Sequence, residues 1–304
     1  MSMRVAQPSH LVWQRLCRHQ MAVVSGAVLL CLVILSGGAP LWITLLELDG
    51  QSVDLFNRFQ PASAQHPLGT DELGRDLLAR LLEGGRVSLF VGLVAAFFAS
   101  LIGTLIGITS GYFGGRLDAI LMRITDGIIS LPMLPLLIVL AAIDLSKLGL
   151  PDAIVNSENA SLFRIATIVA LAGWTTVARL VRAETLALRE RDYVRASHAQ
   201  GASSVRIMRV HILPNLAASI IVATTLSTGH IILLESVLSF LGLGIQPPVA
   251  SWGNLLTNAQ ELIWEAPRLA FYPGALIFIS VIAFNFLGDG LRDALDPKSA
   301  TPQK

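Results

Sequence analysis

Charge is scarce in this 304-residue chain: Asp, Glu, Lys and Arg together make up 14% of it, against 53% hydrophobic residues. A soluble domain carries about a quarter of its residues charged, so a soluble globular fold is excluded. The mean hydropathy of +0.65 and several uncharged runs of more than 18 residues call for a multi-span membrane protein. Lysine is nearly absent. Lys147, Lys298 and Lys304 are all there are, and none sits in a Gly-Lys-Ser/Thr phosphate loop, so the chain is not expected to be its own P-loop ATPase. Its two cysteines, Cys17 and Cys31, flank the start of the first apolar run and suggest neither a disulfide framework nor a metal site. A net charge of +1 gives no general attraction to nucleic acid. No Ser/His/Asp arrangement, metal-ligand cluster or intramembrane carboxylate pair is present, which points away from an enzyme.

The pattern reads as an all-α, polytopic chain of six transmembrane helices. Residues 1–20 are basic, with Arg4, Arg15 and Arg18. The first span covers 21–46 within an uncharged run from 19, loosened at Gly37-Gly38-Ala39-Pro40. A cleaved signal peptide is the competing reading, but apolar character continues past Pro40 to Leu46. Residues 47–86, with seven acidic residues and four arginines, read as an outer segment. Its amphipathic helix is capped by Thr70, shows Leu73, Leu77, Leu78, Leu81 and Leu82 on one face, and ends at Gly84-Gly85.

The second span follows at 87–115, with small residues every fourth position: Ala95, Ala99, Gly103, Gly107, Gly111 and Gly115. Such a stripe lets two helices approach closely in lipid. A third span, 118–142, should break or kink at Pro132 and Pro135, with Asp126 near its inner end. After a polar loop at 144–164, the fourth is the shortest, uncharged only over 165–178. The fifth covers 210–234 and the sixth 269–288, leaving 289–304 as a tail. With both termini inside, 15 of the 22 Lys and Arg residues fall on the inner side, as the positive-inside rule requires.

Seven arginines crowd between Arg179 and Arg209. Within this island Asp192 is placed to cap a short helix over 193–200. Gly201 stands where a left-handed C-terminal cap belongs, and Ser203 can cap a second helix that must bend or loosen near Pro214. The stretch Tyr193–Asn215 resembles the E-A-A loop of ATP-binding-cassette importer permeases: Glu-Ala-Ala, three residues, Gly, nine residues, Ile, any residue, Leu-Pro. Here it reads Arg195-Ala196-Ser197, Gly201, then His211-Ile212-Leu213-Pro214. Arg195, Ser197 and His211 depart from the pattern, while the Gly to Leu-Pro spacing is kept. His66–Leu89, Glu235–Pro248 and Phe284–Pro297 also look like the dipeptide, oligopeptide and nickel permease family.

The resemblance implies one permease subunit of a type I importer, with residues 87–288 as the permease domain and 182–214 as the coupling loop. It further implies a second homologous permease, two cytoplasmic ATPase subunits that hold the ATP and Mg, and a periplasmic or lipid-anchored binding protein. Arg195, Ala196, Ser197, Ala199, Gly201, Leu213 and Pro214 are then the ATPase-coupling residues. Peptides lead as substrate, with nickel or another small solute as the alternative, although no His/Cys/Met cluster in the spans speaks for metal. From the residues alone, Glu235 is the main candidate for the translocation pathway, with His230 five residues earlier, because a carboxylate in a span must face the bundle or water. The competing role for Glu235 is a structural partner to polar groups on the sister permease. A secondary transporter would instead want paired intramembrane charges in repeated halves.

Reporter fusions test the topology. A fusion after Lys298 should report the cytoplasm and one within 52–65 the exterior; an exterior C-terminus would mean that the short fourth span is miscounted.

Overall fold

The computed structural model describes residues 9–143, Pro151, Ser157 and 160–296. Arg4, Lys298, Lys304 and most of the expected 144–164 loop lie outside them. Among the described residues every long element is a helix. Helix α1 (Ser9–Arg18) leads to α2 (Gln20–Gly37) and α3 (Ala39–Leu45), with the break at Gly38. The others are α4 (Leu77–Phe113), α5 (Gly115–Ser130), α6 (Met133–Ala141), α7 (Ala160–Arg189), α8 (Asp192–Ala199), α9 (Ser204–Ile207), α10 (Leu213–Phe240), α11 (Ala259–Leu262) and α12 (Arg268–Leu295). Among the described residues five helices are long and apolar enough to cross a membrane, and the count is six if α5 and α6, which meet at an 89° bend, form one broken span.

Helix α4 is the centre, in contact with α7, α10 and α2, while α12 closes against α10 and α2. Its small-residue stripe is the seam with α7. A Cβ on Gly103 would sit 2.6 Å from the Trp174 carbonyl oxygen, and one on Gly107 would sit 2.6 Å from that of Ala178. Gly111 faces Thr185 and the Arg182 carbonyl in the same way. The stripe stops there: Gly115 begins α5, and nothing lies within 4 Å of its Cβ position. In lipid, where apolar burial gives no net drive, backbone approach of this kind supplies the dispersion energy.

Four expectations need correction. Thr70 caps no helix: residues 70–76 form a closed turn, and α4 starts at Leu77, where the Asp76 carboxylate accepts the Ala79 N–H at 2.9 Å. Nor does Gly84-Gly85 end a helix, because α4 runs through it. Those glycines admit the loop carrying Ser251 and Trp252, which would lie 3.1 Å and 2.7 Å from added Cβ atoms. Leu77 and Leu81 are therefore core residues of a span rather than the face of a separate interfacial helix. The short fourth span is in fact the 30-residue α7, since Arg179, Arg182 and Arg189 continue the helix beyond the apolar run. Finally, Asp192 is the first residue of α8; its cap is Arg191, which makes no side-chain bond.

At Pro132 the expected break is real. The residue precedes α6, and Pro135 fits in the first turn of that helix, where its missing N–H costs nothing. The looseness expected near Pro214 takes the form of a π-helical turn, Met208–Ile212.

Overpacking the seam should destabilise the fold. Gly107→Leu should cost on the order of 1–3 kcal/mol or more and lower the detergent melting temperature. Gly173→Ala, whose Cβ would meet its nearest neighbour at an ordinary 3.7 Å, should leave it unchanged; equal melting of the two would show that the seam is not the main packing contact.

Candidate functional site

The island folds into two short helices, α8 and α9, joined by a turn at Gly201. Helix α8 ends in a double-bonded glycine cap: the Gly201 N–H donates to the His198 carbonyl at 3.0 Å and the Ala202 N–H to the Ser197 carbonyl at 3.1 Å. Gly201 has φ +81°, the left-handed conformation that such a cap needs and that other residues resist. Ser203 caps α9, accepting the Arg206 N–H.

Val194 alone of α8 is buried, in a cluster with Leu188, Ile207, Ile212 and Leu216. The Ser197 hydroxyl donates to the Tyr193 carbonyl at 2.9 Å and lies 3.1 Å from His211 Nε2. Asn215 holds the His211 carbonyl at 2.7 Å. So Ser197 and His211, two departures from the loop pattern, meet each other. Arg195, Ala196, Ala199 and Gly201 are exposed on or beside α8, while Leu213 and Pro214 are exposed at the start of α10.

Beside α8 lies a cleft of about 490 Å³ between Tyr112 and Phe113 at the end of α4 and Arg189, Arg195, His198 and Ala199. Its base is rigid. Arg189 donates to the Gly111 and Tyr112 carbonyls at 3.3 and 3.1 Å, occupying the open end of α4. Arg182 grips Asp118 with a two-pronged pair, Nε to Oδ1 at 2.5 Å and Nη2 to Oδ2 at 2.6 Å, and the Ser110 hydroxyl donates to the same carboxylate. Helices α4, α5 and α7 are thus tied together immediately before α8.

At the opposite end of α10, Glu235 is fully buried. Its carboxylate accepts the Ser88 hydroxyl at 3.1 Å and the Ser239 hydroxyl at 2.7 Å. Those hydroxyls in turn accept the Trp252 N–H at 3.1 Å and the Ile245 N–H at 3.0 Å. The Trp252 indole donates to the Leu81 carbonyl at 3.0 Å. Glu235 therefore anchors the 245–252 loop to α4 and α10 within one chain. His230 is exposed on another face of α10, and the fold does not bring it to Glu235. Ser88, Ser239, Trp252, Asp118 and Arg182 were not legible as a set, because their meeting depends on helix pairing; Ser88 and Glu235 are 147 positions apart.

A bundle of apolar helices long enough to cross a membrane, with a short exposed helix at one end, defines a polytopic membrane protein. The model for the inner membrane component of binding-protein-dependent transport systems matches residues 103–301, and that for the N-terminal membrane domain of oligopeptide transport permease C matches residues 7–61. The chain belongs to this binding-protein-dependent transport permease family. It is 36% identical over 299 residues to the oligopeptide transport system permease OppC of Bacillus subtilis, covering 97% of this chain and 92% of that one. With the dipeptide permease DppC of the same organism it shares 41% over 288 residues, or 94% and 84% of the two chains. The glutathione permease GsiD of Pectobacterium atrosepticum is 37% identical over 296 residues, covering 97% and 92%. A chain of the methionine transporter MetNI in an inward-facing conformation superposes with a TM-score of 0.56 at 20% identity, over 71% of this chain and 96% of that one, which shows a shared fold.

Removing the Glu235 carboxylate should release the loop. Glu235→Ala leaves two buried hydroxyls without their acceptor, at on the order of 1–3 kcal/mol each. It should lower the melting temperature and open the 245–254 segment to proteolysis, whereas Glu235→Gln, which keeps an acceptor, should do so less. Unchanged protease resistance in Glu235→Ala would rule out the anchoring role.

Proposed function

We propose that this chain is one permease subunit of an ATP-driven, binding-protein-dependent importer of di- or oligopeptides. The observation that carries the reading is the lever. A short exposed helix, closed by a left-handed glycine, stands on two spans cross-braced by Arg182–Asp118 and Arg189. A body that must pass movement from a partner below to helices in the membrane needs such stiffness. Alignment across nearly the whole chain with peptide permeases supports the peptide substrate.

In this reading α8 faces the cytoplasm, both termini are cytoplasmic, and the 47–76 and 245–264 segments face outward. Two ATPase subunits bind and hydrolyse ATP and hold its Mg. This chain holds neither a nucleotide nor a cofactor. A second, homologous permease completes the passage, and a periplasmic or lipid-anchored binding protein delivers substrate. Arg195, Ala196, Ala199 and Gly201 form the docking surface, with Ser197 bracing it from behind through His211 and with Leu213 and Pro214 flanking it. The arginines suit acidic or carbonyl groups on the ATPase. Glu235 shapes the outer mouth as an anchor, and His230 faces away from the chain's own core.

Two variants test the lever. Gly201→Val forces a branched residue into the left-handed region, costing on the order of 1 kcal/mol or more, and should weaken ATPase co-purification without loss of membrane insertion. Ala199→Asp places an unpartnered carboxylate on the docking face and should uncouple ATP turnover from peptide uptake in liposomes holding all subunits. Full co-purification of the first and fully coupled uptake by the second would refute the docking assignment.

A further inference from the structure

Helix α5 carries charge where a span should have none to spare. It rises beside α7 from Asp118, gripped by Arg182, to Ile128, which packs with Ala99, Trp174 and Ala178. Trp174 lies eight residues from Arg182, so α5 climbs roughly 12 Å along α7, to a level inside the uncharged 165–178 stretch of that helix. Only part of its circumference is covered. Thr125 is buried, whereas Ile120 and Ile124 are 59% and 53% exposed on one side. On the adjoining side Arg123, Asp126, Gly127 and Ser130 are exposed as a polar face. Among the described residues, no ion pair or hydrogen bond joins the Arg123 or Asp126 side chain to another group; Asp126 acts on Arg182 at longer range, but Asp118 already occupies the fork of that arginine.

A second observation falls at the same place. Leu131 and Pro132, the non-helical joint before the 89° bend into α6, are both exposed on the chain. Open backbone at membrane depth is tolerated only where it is covered by protein or lines a water-filled cavity. Intramembrane charge obeys the same rule. Lipid is therefore excluded on this side of α5, while the neighbouring Ile120–Ile124 side suits lipid or a partner helix.

We infer that the Arg123–Asp126–Ser130 face and the Leu131–Pro132 joint wall the inner half of the translocation passage. There a guanidinium and a carboxylate, one turn apart, meet the carboxylate and ammonium ends of a passing peptide. The inference rests on the peptide-importer reading above. Opposite charges on one wall let a zwitterion exchange water for paired groups without a deep trap, since each end keeps a counter-charge within reach.

The test uses the complete importer in proteoliposomes, with C17S and C31S removing the native thiols. Single substitutions Arg123→Cys, Asp126→Cys, Ile120→Cys and Ile124→Cys are probed with a charged, membrane-impermeant methanethiosulfonate from the ATPase side. Positions 123 and 126 should react rapidly, and 120 and 124 ~10-fold more slowly or worse, because an apolar setting withholds the thiolate by a decade per pKa unit. Asp126→Asn should cut uptake of peptides with a free N-terminus more than that of N-acetylated ones, with ATPase association intact. Labelling at all four positions alike would overturn the inference. So would protection of 123 and 126 in the complex with labelling only in the isolated chain, the mark of a face buried against the sister permease. The expected labelling pattern in an importer that takes up no peptide would keep the passage and retire the peptide assignment.

Discussion

The contact between α4 and α7 is the constraint on which the rest of the structure depends. Gly103, Gly107 and Gly111 bring the α4 backbone to within contact of carbonyl oxygens on α7. A side chain at any of them would push the helices apart. Only at this separation can Arg189 reach the last carbonyls of α4, and only then does Arg182 meet Asp118 beside Ser110. The seam thus sets the footing of the lever as well as the packing of the bundle.

Polar groups divide the remaining work between the two ends of the molecule. At the lever end the pairs are partly open to solvent, and their value lies in direction: a forked guanidinium fixes an angle between helices that a single contact would leave free. At the other end Glu235 is closed off, and its two hydroxyl donors pass its influence on to backbone N–H groups of the 245–252 loop. A buried carboxylate with every oxygen occupied is a device for specifying one loop arrangement rather than a source of net stability.

Much of this was legible in the sequence, for physical reasons. Uncharged runs report spans because lipid tolerates little else, and the turn at Gly201 was readable because few residues accept its backbone. The Gly103–Gly111 period announced a close helix contact without naming the partner. Local rules failed where a distant segment intervened. Gly84-Gly85 looked like a terminator, but α4 runs through the pair, and the missing side chains make room for Ser36, Ser251 and Trp252. Arg179 and Arg182 looked like the end of a span, yet α7 continues because Asp118 and the α4 carbonyls receive its charges. Glu235 drew attention as a lone carboxylate; its serine partners come from α4 and from one turn further along α10, and two serines among many carry no mark of that role.

The first and last described helices meet. Gly290 in α12 leaves room for Ala22 in α2, His19 lies 3.7 Å from the Asp293 carboxylate, and Arg15 donates to the Asp296 carbonyl at 3.3 Å. Helix α2 therefore packs against two helices at very different separations in the chain, α4, the next long helix after it, and α12 far beyond. One side of its seat is present once α4 is in place, and the other side waits for every span between. The fold closes like a clasp only when α12 joins α2, so the seat of an early helix is finished by one of the last elements along the chain.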